Sequence, residues 1–220
     1  QRLVDSVAEC DPYAAHREAS TTRVAYVGPL GHVPNAHAPL WPSPLRTPSQ
    51  RVFAYLRGPN PQFASALMSL QEGGASILCV WPDAPGQVLC RLSAVERLRI
   101  TQKPVQAAAA IAQADAVVNY GSSTVVAQTL LAGKPQLMLP TDHEKRLVGA
   151  CVADGGMGAL CDADASAEQL RAAALHFCAN VAAMTSAAQA VAARHTTLPK
   201  QAAAAIREAR AGDLGRRRGA

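Results

Sequence analysis

Four small residues, Gly121, Ser122, Ser123 and Thr124, stand between a short apolar run and a segment with helical spacing. The first N–H groups of a helix lack intrahelical partners, and serine or threonine hydroxyls beside them can either donate to a phosphate oxygen or cap the helix. The turn therefore reads as an anion site or as an ordinary N-cap, and both readings stay open on these residues alone. A second polar group, Thr141, Asp142, His143, Glu144, Lys145 and Arg146, follows the apolar Gln136 to Leu139 and Pro140. Such groups could meet the hydroxyls or phosphates of a ligand. The same composition also suits a charged helix start, where Asp142 and Glu144 complement the helix dipole.

The elements that must position these groups are legible around them. Ala116 to Tyr120 reads as a strand, Val125 to Ala132 as a helix with Gly133 at its C-terminus, and Gln136 to Leu139 as a second strand. Upstream, Val52 to Leu56 is a strand, and Arg57, Gly58, Pro59 and Asn60 form a turn. Pro61 opens a helix through about Gln71, and Ser76 to Trp81 is the next strand. A variable segment runs through Arg91. Leu98 to Thr101 is a short strand, Pro104 ends it, and a helix is expected over Val105 to Ala114. After the polar group come a helix from Leu147 to Ala153, glycines 155, 156 and 158, and a strand from Ala159 to Cys161. Helices are expected over Ala167 to Cys178 and Val181 to Ala193, with a last one beginning near Pro199 and running through Ala211. This alternation predicts an α/β fold: a Rossmann-like parallel sheet with helices on both faces. Ligands of such sheets sit outside the carboxyl ends of the strands. Arg57, Pro104, Val105, Gly121 to Thr124 and Glu144 should therefore share one rim.

Composition narrows the function classes. The formal charge is +5, but Arg216, Arg217 and Arg218 supply a large part of it from the tail. No basic patch interleaved with aromatics is present, which argues against nucleic acid as a partner. None of the six cysteines stands in a CxxC pair, and most lie in apolar runs. Buried thiols in a reducing compartment, hence a cytoplasmic protein, fit better than disulfides or a metal site. No run is long enough to form a transmembrane segment, and no signal peptide is evident. The chain opens at Gln1 rather than Met, which leaves room for an upstream piece. Prolines 29, 34, 39, 42, 44 and 48 exclude regular structure and mark a linker. The expected organisation is a leader and linker over 1–50, the Rossmann-like domain over 51–195, and a C-terminal helix with a basic tail over 196–220. His16, His32 and His37 lie in the leader and linker and read as surface residues.

The run from Asp115 to Gly158 resembles the nucleotide-sugar-binding half of GT-B glycosyltransferases. The nearest branches are the peptidoglycan N-acetylglucosaminyltransferase and the UDP-glycosyltransferases. The matching residues are Gly121-Ser122-Ser123-Thr124, then Leu131-Ala132-Gly133-Lys134-Pro135-Gln136-Leu137-Met138-Leu139-Pro140, then Glu144, then Gly156-Met157-Gly158. A looser likeness runs from about Tyr26 to about Cys178. The resemblance implies a nucleoside diphosphate sugar donor, most often a UDP-sugar, and transfer of its sugar to an acceptor hydroxyl or amine. It implies that N–H groups around Ser122 to Thr124 and the helix dipole hold the diphosphate, with no cofactor and no metal. The Lys103–Val105 turn, with Pro104, would face the base. Arg57 would face the phosphates, and Gln128 the ribose. His143 and Glu144 would meet sugar hydroxyls.

Four positions depart from the family pattern. Tyr120 stands where many members carry His, Ser122 where a second Gly stands, Gln128 where an acid holds the ribose, and Lys145 where Gln completes the polar pair. No catalytic residue is assigned within the chain. The family's general base belongs to an acceptor-binding N-terminal domain, here expected upstream or on a partner chain. The alternative is a non-catalytic nucleotide-sugar-binding subunit that needs a partner chain for activity.

Overall fold

The computed structural model describes residues 2–18, 24–29, 35–42, 49–58, 60–198, 202–204 and 206–207. The chain opens with strand β1 (Arg2–Val4), helix α1 (Ala14–Glu18) and strand β2 (Val24–Tyr26). Then follow β3 (Arg51–Tyr55), α2 (Gln62–Glu72), β4 (Ser76–Val80), α3 (Gly86–Leu92), β5 (Leu98–Thr101), α4 (Ala107–Gln113) and β6 (Ala116–Asn119). The remainder is α5 (Ser123–Leu131), β7 (Gln136–Met138), α6 (His143–Asp154), β8 (Gly158–Leu160) and α7 (Ala167–Arg194).

Strands β3 to β8 form one sheet in the order β5-β4-β3-β6-β7-β8, every pair parallel. Counted within the sheet this is the 3-2-1-4-5-6 Rossmann order, and the chain winds outward in both directions from the β3–β6 pair. Strand alternation sorts the core. Val52 and Ala54 join Phe63, Leu67 and Leu70 of α2 and Leu170 and Phe177 of α7 on one face. Phe53, Leu78, Val80 and Val117 join Ala110 and Ile111 of α4 and Val125 of α5 on the other. The α/β parallel sheet expected from the sequence is thus present.

Several boundaries differ from expectation. Residues 2–4, within the expected leader, form β1, which pairs with β2 in a separate two-stranded sheet. Three residues are too short for any period to show. The variable segment contains α3. Helix α4 starts at Ala107 because Val105 is bridged to His37 in extended backbone. Helix α6 starts at His143, where Asp142 caps it by accepting from the Lys145 N–H. The two expected C-terminal helices are one helix of 28 residues, opened by a capping box between Ser166 and Gln169. Asn180, which reads as an interruption, turns its amide back onto the His176 carbonyl at 2.8 Å, so the helix continues through it.

The leader is packed into the body. Val7 and Cys10 are buried in one cluster with Val126, Leu130, Met138, Val148 and Val152. Asp11 is buried and bonded to Arg17 (2.5 Å), the Tyr26 hydroxyl (2.9 Å) and the Tyr13 N–H (2.9 Å). Glu9 reaches across to His195 (2.8 Å) and Arg194 (3.2 Å) at the end of α7. Residues 30–34, 43–48, Pro59, Pro199 and 208–220 lie outside the described residues. With them go His32, much of the proline-rich stretch, the opening of the last helix and the basic tail.

Candidate functional site

Parallel pairing sets all six carboxyl ends on one edge. Asn119 is in register with Tyr55 and with Met138, Tyr55 with Val80, Val80 with Thr101, and Met138 with Leu160. The segments that follow these residues carry Arg57, Pro104 and Val105, Gly121 to Thr124, and His143 and Glu144. The sequence-predicted rim is therefore one continuous edge, and its centre is the β3–β6 switch point, where open α/β sheets leave a crevice.

The turn after β6 is fixed from below. Asn119 and Gln136 are both fully buried. Asn119 Nδ2 donates to Gln136 Oε1 at 2.8 Å, and Gln136 Nε2 to the Val126 carbonyl at 3.3 Å. Asn119 Oδ1 in turn accepts from the Gly121 N–H at 2.8 Å. Gly121 adopts φ +93°, where only glycine rests without strain. The chain then enters α5 through Ser122, whose side chain makes no capping bond. Val126 N–H already reaches the Ser122 carbonyl at 2.9 Å, so the N–H groups of Ser123, Thr124 and Val125 precede the first intrahelical bond. Ser123 is exposed, and Ser122 and Thr124 are half-buried. Of the two readings of this turn, a self-capped helix start is not what the side chain of Ser122 makes. Gln128 is half-buried on the second turn of α5.

An aromatic and cationic array lines the switch point. The rings of Tyr55 and Tyr120 stack with centroids 6.1 Å apart, and Lys145 Nζ lies 5.5 Å from the Tyr120 centroid. Lys145 is also paired with Asp142, and this hydrogen bond is what chiefly holds the Asp142 carboxyl below the usual carboxylate range. Burial and then the neighbouring Tyr120 raise the Tyr55 phenol, against the pull of the Arg57 guanidinium beside it. Arg57, Tyr55 and Tyr120 thus neighbour one another at the ends of β3 and β6, and Lys145 reaches Tyr120 from α6.

The turn after β5 is braced by the linker. His37 N–H donates to the Pro104 carbonyl and Gln106 N–H to the His37 carbonyl, each at 2.9 Å. Four residues on, Trp41 Nε1 donates to Gln113 Oε1 at 2.9 Å. The linker is therefore pinned at both ends of α4. His37 itself is exposed. The turn after β3 is held by Asp83, which accepts from the Gly58 N–H at 2.8 Å, and by Trp81 Nε1 on the Gly58 carbonyl at 3.2 Å. Beyond β7, Pro140, Thr141, Asp142, His143, Arg146, Asp162, Ala163 and Asp164 line an open cleft of about 350 Å³. His143 and Glu144 are both exposed at the start of α6.

Sequence reasoning passed over Asn119, Gln136, Tyr55 and Asp83. An amide at the end of an otherwise apolar strand, two residues before a glycine, is the one signal that pointed to Asn119 as a turn anchor. Among the described residues no group of three or more His, Cys, Asp or Glu is placed to hold a metal ion. No described helix is long and apolar enough to cross a membrane.

No protein-family model and no curated protein matches the sequence. Solved structures do share the fold. The glycotransferase of kitacinnamycin is similar over 94% of this chain and 54% of its own, with 17% identity and a TM-score of 0.68. VinC, a glycosyltransferase solved with dTDP, is similar over 86% of this chain and 48% of its own, with 17% identity and a TM-score of 0.64. LpCGTa, solved with UDP, is similar over 93% of this chain and 52% of its own, with 16% identity and a TM-score of 0.65. The chain spans about half the length of the solved structures it matches. Its six-stranded parallel sheet with flanking helices is the architecture of one half of a GT-B glycosyltransferase.

Proposed function

We propose that this chain is the donor-binding half of a nucleotide-sugar-dependent glycosyltransferase, taking a UDP-sugar and working in the cytoplasm. The observation that carries the reading is the uncapped start of α5, placed by Asn119 and Gly121 at the switch point of the sheet. There the N–H groups that precede the first intrahelical bond and the helix dipole favour the charge that develops on a departing diphosphate. The Pro104–Val105 turn lies three strand spacings away, roughly 14 Å, which suits a base at one end and a diphosphate at the other. Arg57 would face the phosphates, Gln128 the ribose, and His143 and Glu144 the sugar hydroxyls. That VinC and LpCGTa were solved with dTDP and UDP supports a nucleoside diphosphate as the ligand class. The acceptor and the general base would come from an N-terminal domain or a partner chain.

Calorimetric titration with UDP and dTDP, paired with a donor-consumption assay, tests this. Weak UDP binding without glycosyl transfer is expected of the chain alone, and transfer upon adding an acceptor half. Binding that never yields transfer with any acceptor half would favour the non-catalytic subunit, for which the uncharged Gln128 at the ribose position speaks. Sustained transfer by the chain alone would overturn the division of labour proposed here.

A further inference from the structure

Lys145 is the third residue of α6, inside the first helical turn. Cations are disfavoured there because the helix N-terminus is itself positive. The side chain does not escape to solvent, being only 27% exposed. It runs instead across the turn after β6. A methyl group built on Gly121 would come within 2.6 Å of the Lys145 β-carbon, so lysine and glycine are in close contact. The ammonium then lies over Tyr120 and against the Asp142 carboxylate. Asp142 does not need that contact to cap the helix, because its other oxygen accepts from the Lys145 N–H at 3.0 Å. A local rule is broken here, and breaches of this kind gather at functional sites.

We infer that Lys145 is a diphosphate-binding residue, with Asp142 holding its ammonium in place until the anion arrives. The inference rests on the donor reading above and adds a residue to it. The phosphate oxygens take over the ammonium from the outer oxygen of Asp142, while the inner oxygen keeps the cap. Lys145 then supplies a mobile positive charge beside the fixed N–H groups of α5, and its selectivity is for phosphate rather than for base or sugar.

The experiment is calorimetric titration of the whole chain and its variants with UDP, UMP and uridine at two salt concentrations. Lys145→Met keeps the β-carbon against Gly121 and removes the charge. It should weaken UDP binding roughly ten- to hundredfold, leave uridine binding unchanged and flatten the salt dependence. Lys145→Arg should retain most of the UDP affinity. Asp142→Asn, which can still cap, should tighten UDP binding because the ammonium no longer has a competing carboxylate. Unfolding curves on the same variants should stay close to the parent's. If the parent binds UDP and Lys145→Met binds it equally well, Lys145 has no such role and the donor reading survives. If the parent binds none of the three ligands, the donor reading falls and this inference with it.

Discussion

Lys145 and Gly121 are packed so closely that the glycine's missing side chain is the space the lysine occupies. The nearest Lys145 atom would stand 2.6 Å from a β-carbon at residue 121, and the backbone there has φ +93°. A glycine at such a turn also lets a ligand approach the backbone closely. The contact with Lys145 is a reason internal to the fold, and it acts without ligand.

Gly121→Ala should therefore be costly. A left-handed conformation costs an L-residue about 1–2 kcal/mol and overpacking about 1–3 kcal/mol, so a loss of roughly 2–5 kcal/mol is expected. Chemical denaturation measures it. In the double variant with Lys145→Gly, the steric part should be recovered and the backbone part should remain. A loss within the error of the parent would show that the turn relaxes freely.

The buried pair Asn119 and Gln136 should behave as one unit. Replacing either by an apolar residue orphans one buried atom of the other, Gln136 Oε1 or Asn119 Nδ2, at a cost of roughly 1–3 kcal/mol. Asn119→Leu should be the worse of the two, because it also releases the Gly121 N–H. The double replacement should cost less than the sum of the singles. Strict additivity in a double-mutant cycle would mean that the two amides do not depend on one another.

The helix starts separate capping from binding. Asp142 and Ser166 make side-chain capping bonds, whereas Ser122 makes none. Asp142→Ala and Ser166→Ala should each lower stability by about 1 kcal/mol, and Ser122→Ala by clearly less. Ser123→Ala and Thr124→Ala should weaken UDP binding more than they weaken folding. A binding constant unmoved by either would return the turn to a purely structural role.

Acid should weaken the leader contacts. Burial pushes the Asp11 carboxyl upward, but the Arg17 guanidinium, the Tyr13 N–H and the Tyr26 hydroxyl together outweigh it and hold the carboxyl below its ordinary value. A lowered folded pKa gives stability that is complete above the unfolded value of about 3.9 and is lost as pH falls through the folded one. Denaturant midpoints followed downward from neutrality should drop below about pH 4. In Asp11→Asn they should start lower and fall less. An acid limb identical in the two proteins would assign the loss to other carboxylates.

What could be read from the sequence follows from the range of the interactions involved. The stretch from Asp115 to Pro140 was legible because its strand, turn and helix signals are contiguous, and β6, α5 and β7 lie within a residue or two of their expected bounds. The common rim of Arg57, Pro104, Ser123 and Glu144 followed from strand–helix alternation alone. The burial of Asn119 was not legible, since its partner Gln136 reads as the edge of an apolar strand. Nor was the bridge from His37 to Val105, because contacts between residues so far apart in sequence leave no local pattern. The core roles of Val7 and Cys10 were hidden in the same way. The α6 start was half legible: Asp142 and Glu144 read as a charged helix start or as ligand contacts, and the apolar spacing showed only from Leu147.

The His37 bridge has an evolutionary side. In a parallel bridge the residue opposite the bonded one turns its own N–H and C=O outward, so Val105 presents main chain, not side chain, on the face away from the linker. A surface made of peptide groups is blind to point substitution. If a base is read there, lineages that switched nucleotide would have done so by inserting or deleting residues between β5 and α4, or by shifting the linker's register. Drift at Lys103 or Val105 would leave the preference intact.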